Sequence, residues 1–266
     1  GLVKPRKKRI KVAPYTNPFK ECLHSNAVWS ADFKGQFRLG NSRLCYPLTI
    51  TDNYSRYIIG CKGLYNPTYS NTKLYFEIVF KEYGLPNAIK TDNGVPFASC
   101  AIAGLSQLSI WWIKLGITPE RIEAGHPEQN GRHERMHRTL KQHTASPAKQ
   151  DIKAQQALFD RFIQEYNYER PHEALLGKPP AKLYVPSNRQ MPNKMPEMKY
   201  NDNCTIRKVR TNGKIKWQGK QFYLAQLLYG EPVGLEEIGD GRWQIYFSTI
   251  KLGILDLRKN KIIRVV

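Results

Sequence analysis

The order of the predicted secondary structure most constrains what this chain can fold into. Three successive segments rich in β-branched and aromatic residues are predicted as strands, at 27–34, 45–51 and 57–62. Helical spacing then alternates with short strand-like runs, with helices predicted at 72–83, 101–115, 128–143 and 152–168 and strands at 88–91 and 118–123. This order predicts an α/β fold, with a mixed five-stranded sheet and helices on both faces.

The second half of the chain has a different character. Residues 186–203 are proline-containing, show no periodicity and are predicted to be a linker. Beyond them no long helical pattern occurs, and short strands are predicted at 205–211, 214–217, 232–237, 243–247 and 253–257. Asn212-Gly213 predicts a hairpin between the first two of these. We therefore expect a basic arm at 1–24, a core at 25–185, the linker, and a small C-terminal β-barrel at 204–266.

The charge of the chain points to its partner. Lys and Arg total 42 against 22 acidic residues, which gives a net charge of +20 and a pI near 9.8. A field of this sign favours nucleic acid, and the alternatives are a merely soluble basic protein and a protein that binds a membrane surface. No apolar stretch is long enough to cross a membrane. The five cysteines occur singly, which favours a reducing compartment, so we expect a cytoplasmic protein.

Three carboxylates stand out by their positions. Asp32 lies within the first predicted strand, Asp92 ends the fourth, and Glu134 lies near the start of the helix predicted at 128–143. Converging carboxylates repel one another unless a cation neutralises them. Mg²⁺ prefers oxygen ligands and keeps substrate phosphates in its shell, and Mn²⁺ is the alternative. Such ions can clamp the attacking and leaving oxygens of a phosphodiester, so the trio predicts phosphoryl transfer on nucleic acid.

Other polar residues offer competing interpretations. Each of the three acids, taken alone, is more typical of a turn or a solvated helix face. Asp52 is the main rival, and its favoured role is to cap a turn ending at Ser55. His133 and His137 are four residues apart and would suit zinc, but no downstream ligand accompanies them.

Several motifs in order carry a family resemblance. They are WSADFKG at 29–35, LTITDNYSRY at 48–57, TDNG at 91–94, GHPEQNGRHERMHRTLK at 125–141, YNYERPH at 166–172 and GKPPA at 177–181. Together they resemble the DDE transposases of bacterial insertion sequences, which are relatives of retroviral integrases. The resemblance implies an RNase H-like core in which Asp32, Asp92 and Glu134 are the metal-binding catalytic acids. It also implies cleavage and strand transfer on double-stranded DNA, at transposon ends and target, by a homo-oligomer. Recognition of the ends is expected from an N-terminal helix-turn-helix region, which is not visible here.

Two basic surfaces are predicted to contact DNA. On the helix of Glu134, Arg138 and Lys141 fall at i+4 and i+7, on the same face as the acid. Further donors are expected around that face from Arg132, Arg135, His133 and His137. In the C-terminal region, the residues predicted to bind the duplex backbone are Arg207, Lys208, Arg210, Lys214 and Lys216. A solvated charged helix and a protein-binding hairpin are the respective alternatives.

Two other functions fit the same sequence features. An RNase H-type nuclease would cut without joining strands. A DNA-binding regulator without catalysis would keep the positive field, although three converging acids would then have no cation to stabilise them.

Overall fold

The computed structural model describes residues 22–33, 35–122 and 131–264, apart from the side chains of residues 131 and 132. Most of the predicted basic arm, residues 1–21, lies outside the described residues, as do residues 123–130, on which the end of the strand predicted at 118–123 and the start of the helix predicted at 128–143 fall. The chain divides into two compact units. Among the described residues, the larger unit is made of those at 22–99 and 106–197, and the smaller of those at 100–105 and 198–264. No helix among the described residues is both long and apolar enough to cross a membrane.

The larger unit contains a mixed sheet and four helices. Its strands and helices are β1 (Val28–Phe33), β2 (Phe37–Arg38), β3 (Leu44–Asp52), β4 (Ile58–Leu64), α1 (Tyr69–Tyr83), β5 (Ala88–Thr91), α2 (Gln107–Lys114), β6 (Thr118–Arg121), α3 (Gly131–Thr144) and α4 (Ile152–Gln164). The main sheet has the order β4-β3-β1-β5-β6, in which β4, β3 and β1 are antiparallel and β1, β5 and β6 are parallel. The predicted mixed sheet is confirmed, and the short β2 on β3 is an addition to it.

Alternation along β3 separates two hydrophobic cores. Leu48 packs in one core with Phe76 of α1 and Trp112 of α2. Cys45 of the same strand packs in the other core with residues of α3 and α4, among them Phe159. Since successive side chains of a strand point to opposite faces, helices cover both faces of the sheet, as predicted.

The helix predicted at 101–115 begins later than expected. Ala103 and Gly104 have positive φ angles of 49° and 68°, which a right-handed helix cannot include. α2 therefore starts at Gln107. Its N-cap, Ser106, forms a reciprocal capping box with Ser109 in the first turn.

The motif at 166–172 fastens the chain to the edge strand β4. Asn167 donates from Nδ2 to the Ile58 carbonyl at 2.9 Å and accepts from the Ile58 N–H at 2.8 Å. Its side chain thus makes the two main-chain hydrogen bonds that a neighbouring strand would make at this position. The helix predicted at 152–168 ends at Gln164, and the wider turn Glu165–Glu169 follows it.

Part of the predicted linker packs on the larger unit. The Arg189 guanidinium donates to the carbonyls of Pro86, Leu115 and Gly116 and to Asn87 Oδ1, at 2.7–3.2 Å. Sequence periodicity could not reveal this segment, because its bonds go to loops distant in sequence and not to a repeating neighbour.

The smaller unit is an antiparallel β structure. Its strands are β7 (Cys204–Lys208), β8 (Lys214–Trp217), β9 (Lys220–Tyr223), β10 (Pro232–Gly239), β11 (Arg242–Phe247), β12 (Ile250–Asp256) and β13 (Lys261–Arg264). Five of them pair in the order β13-β12-β11-β10-β7, and β8 pairs with β9. The described pairing leaves β13 and β7 at the ends of the sheet, and closure into a barrel stays a prediction.

The predicted hairpin between 205–211 and 214–217 is wrong. A turn does form there, since Gly213 has a φ of 71° and its N–H donates to the Arg210 carbonyl at 2.9 Å. However, β7 pairs with β10, and β8 turns through Gln218-Gly219 to pair with β9. The Val209 N–H donates to the main-chain carbonyl of Glu231 at 3.0 Å. This hydrogen bond extends the contact of β7 with the β10 side of the sheet up to the turn.

Candidate active site

Asp32 and Asp92 lie side by side at the carboxyl ends of two neighbouring strands. Their strands β1 and β5 are adjacent and parallel, and Ala31 pairs with Thr91 in the register. Asp32 and Asp92 directly follow that pair, so they neighbour each other at the carboxyl ends of the two strands. The Asp32 side chain is 17% exposed. Asp92 Oδ1 accepts a hydrogen bond from the Gly94 N–H at 3.0 Å, which turns the chain away from the sheet. This edge is where open α/β sheets place reactive groups.

Glu134 lies on an exposed face of α3. It is in the first turn of the helix and borders a groove of ≈ 540 Å³ with His137, Arg138, Lys141 and Gln142. The predicted face of Glu134, Arg138 and Lys141 therefore exists. Arg135 is exposed but is not part of the lining of this groove, and the side chain of Arg132 lies outside the described residues.

The structure brings together a different set of side chains that could hold a metal ion. Within the described part of the chain, Asp32, His133 and His137 are the only group of three whose ligand atoms lie within 4.8 Å of one another. Asp92 and Glu134 are not members of that group. The assignment of the three acids as one catalytic centre therefore stays a prediction.

His133 and His137 face the sheet and not the solvent. They are 3% and 4% exposed, so the expectation that they add donors to an exposed DNA-binding face is wrong. Thr49 Oγ1 lies 2.8 Å from His133 Nε2 and 2.6 Å from His137 Nε2, and Thr51 Oγ1 lies 3.0 Å from His133 Nδ1. Burial, with a smaller contribution from the charge of Lys90, lowers the pKa of His133 to about 3. His133 is therefore neutral at neutral pH.

A sequence signal for this burial exists. Met136 and Leu140 are buried on the same helix, three and seven residues after His133. His137 falls between them at i+4, so the two histidines complete one helical stripe. Thr49 and Thr51 share a face of β3 because they are two residues apart. Only tertiary pairing shows that the stripe of α3 meets this face.

Asp52 performs the capping role that the sequence favours. Its carboxylate accepts from the Asn26 N–H at 2.8 Å, the Ser55 N–H at 2.8 Å and the Ser55 hydroxyl at 2.6 Å. The residue is 1% exposed, and burial raises its pKa despite these bonds. Asp52 is thus a turn-stabilising residue, bonded to main-chain groups through both oxygens.

The smaller unit presents a basic groove of ≈ 740 Å³. Four of its five predicted DNA contacts, Arg207, Lys208, Arg210 and Lys216, line this groove together with Tyr229 and other residues. Lys214 is half-buried and is not among the lining residues. The Arg207 guanidinium lies 5.1 Å from the centre of the Trp217 ring, which holds this cation over an aromatic face.

Family models match most of the chain. Two models described as integrase core domains match residues 23–127 and 115–180. A model described as the C-terminal domain of IS481 family transposases matches residues 204–263.

Two of the curated relatives are proteins of insertion elements. The chain is 30% identical over 161 residues to the insertion element IS407 uncharacterized 31.7 kDa protein of Burkholderia multivorans, covering 56% of this chain and 52% of the relative. It is 28% identical over 204 residues to the insertion element IS476 uncharacterized 39.2 kDa protein of Xanthomonas euvesicatoria, covering 72% and 54%. The matches thus span about half the length of these relatives.

A solved structure shares the fold. It is the cryo-EM structure of the simian T-cell lymphotropic virus intasome in complex with the PP2A regulatory subunit B56 gamma, with a TM-score of 0.53 and 15% identity, covering 98% of this chain and 85% of that one. This likeness supports an RNase H-like mixed sheet for the larger unit. The family models and the insertion-element relatives lead to one conclusion: the chain belongs to the DDE transposases of the integrase superfamily.

Proposed function

We propose that this chain catalyses DNA strand cleavage and strand transfer during the transposition of an insertion element. The observation that carries the proposal is the register of β1 and β5, which sets Asp32 and Asp92 side by side at one edge of the sheet. α3 lies next to this edge, because His137 Nδ1 is 3.8 Å from Asp32 Oδ2. Glu134 is one turn before His137 on that helix.

The donor set suits a hard divalent cation. Asp32, Asp92 and Glu134 would supply the carboxylate oxygens that Mg²⁺ prefers, with Mn²⁺ as the alternative. When bound there, the cation would neutralise the carboxylates and polarise the scissile phosphodiester. The side chain of Asp32 is 17% exposed and could meet a substrate phosphate, and the buried Thr49 hydroxyl lies 3.2 Å from the main-chain carbonyl of the same residue.

Basic residues that border the groove beside Glu134 would hold the DNA strand. Arg138 and Lys141 border it next to Glu134 and would pair with the flanking phosphates. Water then attacks the phosphodiester at the element end and releases a 3′-hydroxyl. That hydroxyl attacks a target phosphodiester and displaces a second 3′-oxygen, so one bond forms for each bond broken.

The proposal extends to partners and location. The substrates are double-stranded transposon ends and target DNA, and joining two ends requires a homo-oligomer on the DNA. The smaller unit, as a β-barrel with its basic groove, would bind duplex DNA or mediate assembly. The protein would act in the bacterial cytoplasm, at the nucleoid when bound to DNA.

The test compares Glu134→Gln with the unchanged chain on terminal-repeat DNA and on pre-cut ends, in Mg²⁺. We expect the variant to lose both cleavage and joining. Asp52→Asn is the matched control, because it changes a buried carboxylate that caps a turn, and it should keep both activities per folded molecule. Cleavage without joining by the unchanged chain would indicate a plain nuclease. Salt-sensitive DNA binding without either activity would indicate a regulator. Either of these two results would overturn the proposal.

A further inference from the structure

We propose that Nδ1 of His137 is a metal ligand that shares a cation with the Asp32 carboxylate. The site would then have a mixed nitrogen and oxygen donor set. The two atoms that would meet at the cation, His137 Nδ1 and Asp32 Oδ2, are 3.8 Å apart. This inference rests on the proposed function, since it adds a ligand to the cation assigned to Asp32.

The hydroxyl of Thr49 determines which ring nitrogen of His137 carries the proton. A threonine hydroxyl has a single proton, and the main-chain carbonyl of Asp32, 3.2 Å from Thr49 Oγ1, can only accept it. Nε2 of His137 lies 2.6 Å from the same hydroxyl oxygen, and we assign it as the donor in that bond, with the Thr49 proton donated to the Asp32 carbonyl. In a neutral imidazole the other nitrogen then has the lone pair. Nδ1 of His137 is thus in the form that binds metals.

His133 does not compete for this role. Its Nε2 lies 2.8 Å from Thr49 Oγ1 and its Nδ1 lies 3.0 Å from Thr51 Oγ1, so both ring nitrogens are engaged by hydroxyl groups. The His133 ring also contacts the His137 ring edge-on, with 4.4 Å between centroids. His133 and Thr49 therefore hold the His137 ring in place, as outer-shell partners commonly do for ligating histidines.

The spacing allows one ion to reach both donors. Bonds from Zn²⁺ to imidazole nitrogen and to carboxylate oxygen are each about 2.1 Å. Two such bonds span up to about 4.2 Å, which exceeds the 3.8 Å between the two donor atoms. Imidazole is a softer ligand than carboxylate and favours transition metals over Mg²⁺. The mixed pair should thus bind transition-metal ions such as Mn²⁺ more tightly than a site of carboxylates alone would, relative to Mg²⁺.

The decisive measurement is pulsed electron paramagnetic resonance of the full chain with Mn²⁺ as the probe. We expect modulation from an imidazole ¹⁴N nucleus in the unchanged chain. His137→Asn should abolish it, whereas His143→Asn, at an exposed position on the same helix, should keep it. Bound Mn²⁺ without nitrogen modulation in the unchanged chain would overturn the inference, and this result does not depend on how any variant folds. Modulation that persists in folded His137→Asn would overturn it too.

A second measurement tests the orientation of the ring. Thr49→Val removes the hydroxyl that fixes the tautomer, and the affinity for Mn²⁺ should fall about 10–100-fold in a calorimetric titration. An unchanged affinity in the folded variant would contradict the role of Thr49. Asp32→Asn separates this inference from the proposed function. If Asp32→Asn abolishes Mn²⁺ binding and DNA cleavage while the unchanged chain shows no nitrogen coupling, only His137 is wrongly assigned. If Mn²⁺ binding survives Asp32→Asn, the assignment of the cation to Asp32 fails, and both proposals fail with it.

Discussion

The buried imidazole of His133 should make the stability of this protein depend on pH. Its pKa is about 3 in the folded chain, against an ordinary value of 6.5. Between these values the unfolded chain carries a proton on this side chain and the folded chain does not. Unfolding therefore takes up a proton, and the free energy of unfolding falls as the pH drops below 6.5. Well above pH 6.5 the imidazole is neutral in both states, so His133 causes no loss of stability there.

The size of the effect follows from these two pKa values. The free energy of unfolding should change by about 1.4 kcal/mol for each pH unit within the window. Integrated from about pH 7 to about pH 5, the loss due to His133 is about 2 kcal/mol. For a chain of this size such a loss lowers the midpoint of thermal unfolding by roughly 4–8 °C.

Replacement of His133 by Gln isolates this contribution. Glutamine keeps a donor and an acceptor for Thr49 and Thr51 but does not titrate. Urea unfolding of both proteins at about pH 7 and about pH 5 should show that the unchanged chain loses about 2 kcal/mol more than the variant. His143→Gln, at an exposed position on the same helix, should follow the unchanged chain. If His133→Gln and the unchanged chain lose the same stability on acidification, His133 is not a buried neutral residue.

Three further predictions test other parts of the structure. Asp52→Ala removes the acceptor of three hydrogen bonds, and should lower the free energy of unfolding by about 3 kcal/mol in urea titrations, while cleavage per folded molecule is kept. Asn167→Ala leaves the N–H and carbonyl of Ile58 without their side-chain partner, at a cost of about 2 kcal/mol, and a loss under half of that would contradict the bridging role. Lys216→Ala, in the basic groove of the smaller unit, should weaken duplex binding equally for all sequences and reduce the slope of log affinity against log salt by about 1; a sequence-dependent loss would argue against a backbone contact.

The sequence alone determined the fold class and the order of its parts. Three strand-like segments followed by alternating helices and strands allow few arrangements other than a mixed sheet with helices on both faces. The turn at Asp52 was also predictable, because an aspartate three residues before a serine caps the turn through local bonds. The face shared by Glu134, Arg138 and Lys141 follows from helical spacing and needs no tertiary information.

Tertiary structure decided what lies beside Asp32. The sequence placed His133 and His137 on a polar, basic helix, where the charge of the neighbouring residues favoured solvent and DNA. Packing of α3 on β3 instead buries both rings against Thr49, since Met136 and Leu140 on the same stripe must leave water. The pairing of β7 with β10 was likewise not predictable from local sequence, because a turn motif indicates where the chain bends and not which strands pair. Which strands pair and which helix face packs on them depends on how much apolar area distant segments bury together. That area is set by the folded structure and cannot be read from local sequence patterns.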